Sequence, residues 1–219
     1  MSVRGYFVVA LVCLLTEVYA TKGLTVKHRV PDFECLKKEG YSFIVPRSFI
    51  SIGMIDPNVI HNLEGASKAN MKADIYVKPC FNCPNPPEKQ IEQIIKTLPA
   101  TYRKMWIIVY LSDRWNKDRS KNCYTLRLMI QEAINQGKKV GIATNINNWY
   151  AVMGGACEFV EYIPELWLLL PDGKEETPNF ERFGGMKDPV MKEMRVLDKI
   201  CETEGNTIIA YGIQPKSDL

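Results

Sequence analysis

The stretch MWIIVYL at residues 105–111 is an almost continuous apolar run, and it decides the fold. Such a run predicts a strand that is covered on both faces, as in a parallel sheet. Similar runs occur on either side, so that predicted strands begin near residues 41, 73, 105, 138 and 166, about 30 residues apart, which is the length of one βα unit. The sequence therefore predicts an α/β protein with a parallel sheet and outer helices, either an open sheet or a barrel.

The helical patterns between these runs support the same architecture. Residues 91, 94, 95 and 98 are apolar, for example, which is the spacing of one helix face. Helices are predicted at 31–39, 56–70, 87–98, 124–136 and 147–153, and strands at 24–28, 41–47, 73–78, 105–111, 138–144, 166–170, 190–197 and 207–213. After residue 171 the alternation stops, and the last two strands have little helix between them. No linker or low-complexity tract divides the chain, so we expect a single domain over residues 21–219.

The first 20 residues have the three-part pattern of a secretory signal peptide. Arg4 supplies the basic start, the range 7–15 is apolar, and small residues precede a cleavage point after Ala20. A membrane anchor is the alternative, but the apolar stretch is well short of the ~20 residues that span a bilayer. We therefore expect a secreted protein, either extracellular or in the lumen of a secretory or lysosome-related compartment, with no membrane span in the mature chain.

Composition excludes several other classes of protein. Lys and Arg together number 28 and Asp and Glu 25, and a net charge of +3 is too weak for a dedicated nucleic-acid binder. Two His and seven Cys leave little material for a metal site, and no cofactor motif is present. Removal of Cys13 with the signal peptide would leave six cysteines, an even number that predicts disulfides in an exported chain: Cys35, Cys80, Cys83, Cys123, Cys157 and Cys201.

The pairing of most of these cysteines is left open by the sequence. Cys80 and Cys83 form a CxxC pair that could also serve in redox chemistry or as half of a zinc site. No second CxxC is present, and neither His28 nor His61 is placed to complete a set of metal ligands. A short local disulfide between Cys80 and Cys83 is therefore predicted, and no metal site.

A ligand site is expected where the parallel strands end. In α/β folds, ligands bind at the carboxyl ends of the strands. The residues at these ends form a basic and aromatic rim, although charged residues here are also common in solvated loops, and tryptophans are common in cores. The predicted cleft-lining residues are His28, Arg47, Tyr76, Lys78, Tyr110, Trp149 and Trp167.

Several motifs in order resemble the nematode and amoeba lysozymes of the family-25 glycoside hydrolases. The range 35–47 is similar to C-L-K-x-x-G-Y-x-F-x-x-x-R, 53–58 to G-x-V-D-P-N, 74–83 to D-x-Y-x-x-P-C-x-x-C, 139–149 to K-V-G-I-Y … W, 166–185 to L-W-Y-A … F-x-x-F-G-G-W, and 192–194 to K-Q-Y. The resemblance covers nearly the whole predicted mature chain. It implies a modified (β/α) barrel, secretion, and cleavage between N-acetylmuramic acid and N-acetylglucosamine in bacterial cell-wall glycan.

The acids of that family are missing from the matching positions. Glycoside hydrolysis typically uses two carboxyl groups, which the family carries mainly on W-L-D-x-E after the fourth strand. Here the stretch is 110–114, with Ser112 at the Asp position and Arg114 at the Glu position. Arginine stays protonated and cannot act as a general acid. A shift of one residue would place Asp113 at the Glu position, and the acid that the family carries on the first strand is also absent.

Three hypotheses follow for function. The first is a secreted lysozyme-like protein of innate defence that has lost hydrolysis and binds peptidoglycan or another glycan. The second is an active muramidase that combines Asp113 with a carboxylate from elsewhere, such as Asp74 or Asp172. The third is a scaffold or signalling protein with no affinity for glycans.

Overall fold

Eight strands close into a barrel in a computed structural model of the protein, which describes residues 18–111, 115–160, 162–177 and 180–213. The strands are β1 (Val18–Val26), β2 (Phe43–Ile50), β3 (Met54–Ile55), β4 (Lys72–Ala73), β5 (Ile75–Val77), β6 (Lys104–Ile108), β7 (Lys139–Thr144), β8 (Glu165–Leu168), β9 (Met191–Ile200) and β10 (Thr203–Ile213). The helices are α1 (Phe33–Lys38), α2 (Val59–Lys68), α3 (Pro87–Thr97), α4 (Arg119–Asn135) and α5 (Ile146–Val152).

The barrel is closed by the pairing of β1 with both β2 and β10. Around the ring the order is β1, β2, β5, β6, β7, β8, β9 and β10, with β3 and β4 paired to β2 outside it. Neighbouring strands from β1 to β9 run parallel, whereas β10 is antiparallel to both β9 and β1. The predicted modified α/β barrel is confirmed, and of the two expected arrangements the closed barrel is the one that forms.

Helices cover the parallel strands as far as β8, and no helix is present among the described residues between β8 and β9. Local signals begin these helices: the side chain of Asp32 accepts from the backbone N–H of Cys35 at α1, and Asp118 accepts from two N–H groups at α4. Pro87 begins α3. The cap at Asp118 starts α4 five residues before the predicted start, because the first turn is polar and carries no apolar pattern.

The structure differs from the predicted elements mainly at β1. This strand begins at Val18, six residues before the predicted start. Its start is set by pairing with β10 along its whole length, and no apolar pattern in its own sequence marks it. Val18–Ala20 belong to the predicted signal peptide, whose remaining residues lie outside the described ones. The short strand β3 was not predicted from the sequence.

Alternating side chains divide the apolar residues into two layers. One layer fills the barrel interior and includes Tyr76, Trp106 and Trp167. The larger layer lies between the barrel and its helices. Gly141 allows the interior to fill, because a Cβ at that position would approach the Trp106 ring to 2.4 Å.

Three disulfides use all six predicted cysteines. Cys35–Cys201 joins α1 to the turn between β9 and β10, Cys123–Cys157 joins α4 to the segment after α5, and Cys80–Cys83 closes a local loop. The local disulfide is the predicted one, and the other two pairings come from the fold. Within the ranges that the structure describes, no helix has the length and apolarity needed to cross a membrane.

Candidate functional site

A pocket of about 230 Å³ lies at the carboxyl ends of the parallel strands. Its walls come from β1, β5, β6, β8, β9 and β10 and from the residues that directly follow them. The lining residues are Thr25, Lys27, Tyr76, Lys78, Ile108, Tyr110, Trp167, Leu169, Glu193, Val196 and Asn206. We call this the strand-end pocket. It occupies the place where parallel α/β folds bind ligands.

Among the described residues that line this pocket, Glu193 carries the one carboxyl group. It lies on β9, is 8% exposed, and accepts a hydrogen bond of 2.8 Å from Asn206 Nδ2 through Oε2. Asn206 is itself fixed, because its Oδ1 accepts from the N–H of Leu197 at 3.1 Å and its own N–H donates to Thr25 Oγ1 at 3.0 Å. The Glu193 side chain is therefore held in place by three strand segments.

The electrostatic environment of Glu193 contains opposing influences. Burial raises the pKa of the Glu193 carboxyl above its usual value, since the charged form loses hydration. The hydrogen bond from Asn206 and the positive charges of Lys27 and Lys78 act in the opposite direction. The described lining residues thus include two lysines and one carboxyl group, and both lysines favour the ionised form of that carboxyl.

Trp167 lines the pocket, but its Nε1 is buried away from the pocket surface. Its side chain is 1% exposed, and Nε1 has no hydrogen-bond partner. The ring meets Trp106 edge-on with centroids 6.0 Å apart and Tyr76 edge-on at 6.4 Å. Aromatic neighbours therefore fix the ring plane, and the N–H group cannot turn toward another acceptor.

Four of the seven residues predicted to line the cleft do so: Tyr76, Lys78, Tyr110 and Trp167. His28 does not, because it lies in the exposed segment beyond β1, and its neighbour Lys27 lines the pocket instead. Arg47 is held by Asp56, with its Nε 2.7 Å from Asp56 Oδ2.

Trp149 corrects the prediction most clearly. It is fully buried in the layer between barrel and helices, where it packs on Phe159 and Phe183 at centroid distances of 5.9 and 6.2 Å. The tryptophan belongs to α5, and the inner face of a helix points to the outside of the barrel rather than to the strand ends.

The residues at the family acid positions, Ser112, Asp113 and Arg114, lie outside the described residues. The two other acids considered for catalysis are not in the strand-end pocket. Asp74 lies at the opposite end of the barrel, where Oδ1 is 3.0 Å from Arg103 Nε. Asp172 accepts a 2.7 Å hydrogen bond from the buried Lys192 Nζ, which lowers the pKa of this carboxyl.

Glu193 and Asn206 were not predicted, because the predicted lining residues came only from the ends of the first six predicted strands. Alternation along β9 could have found Glu193, since Met191 faces the barrel interior and the residue two positions later shares that face. The position of Asn206 depends on the bulged pairing of β9 with β10, which no local pattern reveals.

The described lining residues combine several hydrogen-bonding groups with apolar side chains. One carboxyl group, two ammonium groups and the hydroxyl of Tyr110 belong to the lining of a pocket with apolar walls. No group of three or more His, Cys, Asp or Glu within the described ranges could hold a metal ion. These groups can recognise a polar, uncharged ligand through hydrogen bonds and ring packing.

Comparisons with known proteins agree with the fold. The model of the family described as Lysozyme-like protein 1 matches residues 17–194. Probable GH family 25 lysozyme 4 of Dictyostelium discoideum is 28% identical over 190 residues, which cover 84% of this chain and 88% of that protein. Lysozyme-like protein 5 of Caenorhabditis elegans is 26% identical over 202 residues, covering 87% and 91% of the two chains. A family 25 glycosyl hydrolase from Bacillus anthracis has a similar structure, with a TM-score of 0.68 and 17% identity over 88% of this chain and 89% of that one.

Proposed function

Because this chain belongs to the lysozyme-like family whose model matches residues 17–194, we propose that it binds bacterial cell-wall glycan in the strand-end pocket without hydrolysing it. The observation that carries this proposal is the lone carboxyl of Glu193 among the described lining residues. Glycoside hydrolysis typically needs two carboxyl groups, about 5 to 9.5 Å apart across the bond that breaks.

The charges near Glu193 support the loss of hydrolysis. Lys27 lines the same pocket, and a positive charge there raises the energy of an oxocarbenium-like transition state. The sequence alignment adds Ser112 and Arg114 at the positions of the family acids. A hydroxyl and a guanidinium group cannot replace a carboxyl base and a carboxylic acid at neutral pH.

Secretion and a role in innate defence are part of the same proposal. The pattern of residues 1–20 predicts a signal peptide, and three disulfides suit an oxidising compartment. Cleavage after Ala20 would leave Thr21–Val26 of β1 in the barrel. Amino-terminal sequencing of the exported protein checks this point, and a mature chain that keeps residues 1–20 would contradict it.

The main experiment compares binding with turnover. The purified mature protein is mixed with insoluble peptidoglycan, and we measure both the protein that sediments with it and the reducing sugars released. We expect sedimentation without released sugar, whereas an active muramidase releases both. Lys139→Ala removes the charge of an exposed lysine at the opposite end of the barrel. As a control, this variant should sediment to the same extent as the unchanged protein. Sustained release of reducing sugar would overturn the proposal.

A second candidate function is an active muramidase, and the position of Glu193 favours it. A carboxyl group whose pKa is raised by burial is suited to donate a proton. The second acid would be Asp113, in place of Asp74 or Asp172, which lie outside this pocket. Turnover that disappears both in Glu193→Gln and in Asp113→Asn, but persists in Arg114→Ala, would establish this candidate.

The same sedimentation measurement distinguishes the proposed glycan binding from the third hypothesis, a scaffold or signalling role without glycan affinity. A protein that stays in the supernatant over a range of peptidoglycan concentrations would support that role and contradict the proposed binding.

A further inference from the structure

A second cavity, of about 680 Å³, opens at the amino ends of the parallel strands, opposite the strand-end pocket. We call it the amino-end cleft. We propose that it is a separate binding site, which takes the phosphate groups of an anionic polymer built from glycerol phosphate units. This inference goes beyond the proposed glycan binding and does not depend on it.

Positive charge is in excess in the described lining of this cleft. The lining contains four cationic side chains and two carboxyl groups: Lys72, Arg103, Lys104, Lys139, Asp74 and Glu165. Both carboxyl groups already have cationic partners, Asp74 in Arg103 and Glu165 in Lys104. The charges of the two exposed lysines, Lys72 and Lys139, therefore have no matching carboxylate within the described lining.

The register of the strands brings like charges together at the mouth of the cleft. Lys104 and Lys139 are directly paired neighbours at the starts of β6 and β7. Two residues further along, Trp106 is paired with Gly141, and its ring belongs to the barrel interior. The two lysines thus share the inward face. Like charges on directly opposite strand residues are destabilising, and a bound anion would remove this cost.

Helix ends do not account for these lysines. Lysines in the last turn of a helix offset the negative end of its dipole, as Lys38 and Lys68 can in α1 and α2. Lys72 and Lys139 instead begin the strands β4 and β7, and a sheet has only a small net dipole. Their charges are therefore directed to the cleft without an electrostatic role in the fold.

The predicted cleavage after Ala20 would add a further positive charge to the cleft. The new amino terminus would be Thr21, which is itself one of the lining residues. An α-amino group has a pKa of about 7.7–8.0, so most of it is protonated at pH 7. Removal of the signal peptide would therefore complete the site, and the precursor would lack this charge.

The aromatic rings of the cleft distinguish between polymers that carry phosphate. Proteins that bind single-stranded nucleic acids combine cations with ring faces on which successive bases stack. Here the Phe43 ring is buried, and the Arg103 guanidinium lies 5.7 Å from its centroid. The Trp106 ring is also buried, with the Lys104 ammonium 4.8 Å from its centroid. Tyr211 is the one ring left in the described lining, so a flexible polymer without bases matches the cleft better.

The test measures binding of a glycerol phosphate oligomer to the mature protein by calorimetry, with unphosphorylated polyglycerol as the uncharged probe. We expect the phosphorylated oligomer alone to bind. Lys72→Gln and Lys139→Gln should each weaken its binding about fivefold at moderate salt, and each should lower the slope of log K against log salt by about one. Acetylation of the α-amino group of the mature protein should cause a similar loss.

Lys121→Gln is the matched control. It removes an exposed lysine from the first turn of α4, which follows the carboxyl end of β6 and so lies at the other end of the barrel. Its affinity for the oligomer should equal that of the unchanged protein, and unfolding curves of all variants check that they are folded. An equal loss in Lys121→Gln would mean that the oligomer responds to the charge of the whole molecule, and would overturn the inference.

The remaining outcomes separate this inference from the proposed function. Full affinity for the oligomer in both Lys72→Gln and Lys139→Gln would overturn the site, and full affinity after acetylation would overturn the part of Thr21 in it. Tighter binding of a single-stranded RNA of equal charge would overturn the choice of polymer. Glycan binding is tested on peptidoglycan freed of phosphate polymers, with which both cleft variants should still sediment, so either proposal can fail while the other stands.

Discussion

The two ends of the barrel treat their buried polar groups differently. At the end opposite the strand-end pocket, a cavity of about 680 Å³ contains two carboxyl groups, and both are paired: Asp74 with Arg103 and Glu165 with Lys104. Asp74 accepts a further hydrogen bond from Trp106. In the strand-end pocket, Glu193 has an amide partner, and the Trp167 N–H has none.

The difference lies in how the carboxyl groups are compensated: by cations at the opposite end and by an amide N–H in the strand-end pocket. Buried polar groups in folded proteins are nearly always satisfied, and those that are not tend to mark sites of function. The opposite end follows the rule, with each acid neutralised by a cation. Among the described residues the Trp167 N–H is one of five buried polar atoms without a partner, and the other four, on Gln93, Tyr102, Trp115 and Trp149, lie outside the strand-end pocket.

The largest expected effect comes from removing the acid at the satisfied end. Asp74→Ala leaves the buried Trp106 N–H without an acceptor and separates Arg103 from its partner, so we expect a loss of about 2–4 kcal/mol in the free energy of unfolding. Glu193→Ala, the matching change in the strand-end pocket, should lose less, about 1–2 kcal/mol, because it removes one hydrogen bond from Asn206 and no ion pair.

Urea denaturation of both variants measures this contrast. Asp74→Asn, which keeps one acceptor oxygen, should lose less than Asp74→Ala. Equal losses from Asp74→Ala and Glu193→Ala would show that the two ends contribute equally to stability. The different partners of the two carboxyl groups would then make no difference to the free energy of unfolding.

Much of the barrel was predictable because its strands and helices carry local signals. The apolar run at 105–111, the proline that begins α3 and the glycines that end helices are all read within one element. The early start of β1 was not predictable, since it depends on pairing with β10 at the other end of the chain. The same long-range pairing decides which cysteines meet, as Cys35 and Cys201 show.

The site was less predictable than the fold. Position at a strand end was enough to find Tyr76 and Trp167, whose strands lie in the regular βα part of the chain. Trp149 was misplaced because a residue three or more positions beyond a strand has already entered the next helix. Glu193 lies where the βα repeat has stopped, so its place around the ring follows only from the closed topology.

A smaller effect should separate the two tryptophans of the barrel interior. Trp106→Phe and Trp167→Phe remove the same atoms from neighbouring buried rings, but only the first breaks a hydrogen bond to a carboxylate. We therefore expect Trp106→Phe to lower the free energy of unfolding by about 2 kcal/mol more than Trp167→Phe. The common cost of the lost volume cancels in this difference.

The measurement is again urea denaturation, with equal slopes required so that midpoints can be compared. The double variant gives a check, because rings in contact can couple. A larger loss from Trp167→Phe would mean that its N–H contributes to folding and would contradict the absence of a hydrogen-bond partner.

The smallest effect is the pH dependence that Glu193 gives to stability. Its pKa is raised in the folded state above the usual 4.5, so at intermediate pH the folded protein binds more protons than the unfolded chain. Stability must then fall as the pH rises from the unfolded pKa through the folded one. Burial causes the shift, and Asn206, Lys27 and Lys78 offset part of it, which keeps the effect small. In Glu193→Gln this contribution is absent, so the difference in unfolding free energy between the variant and wild type should grow in favour of the variant between pH 4 and pH 7. A difference that shrinks over that range would mean that the cations outweigh burial, and that Glu193 is more readily ionised when the protein folds.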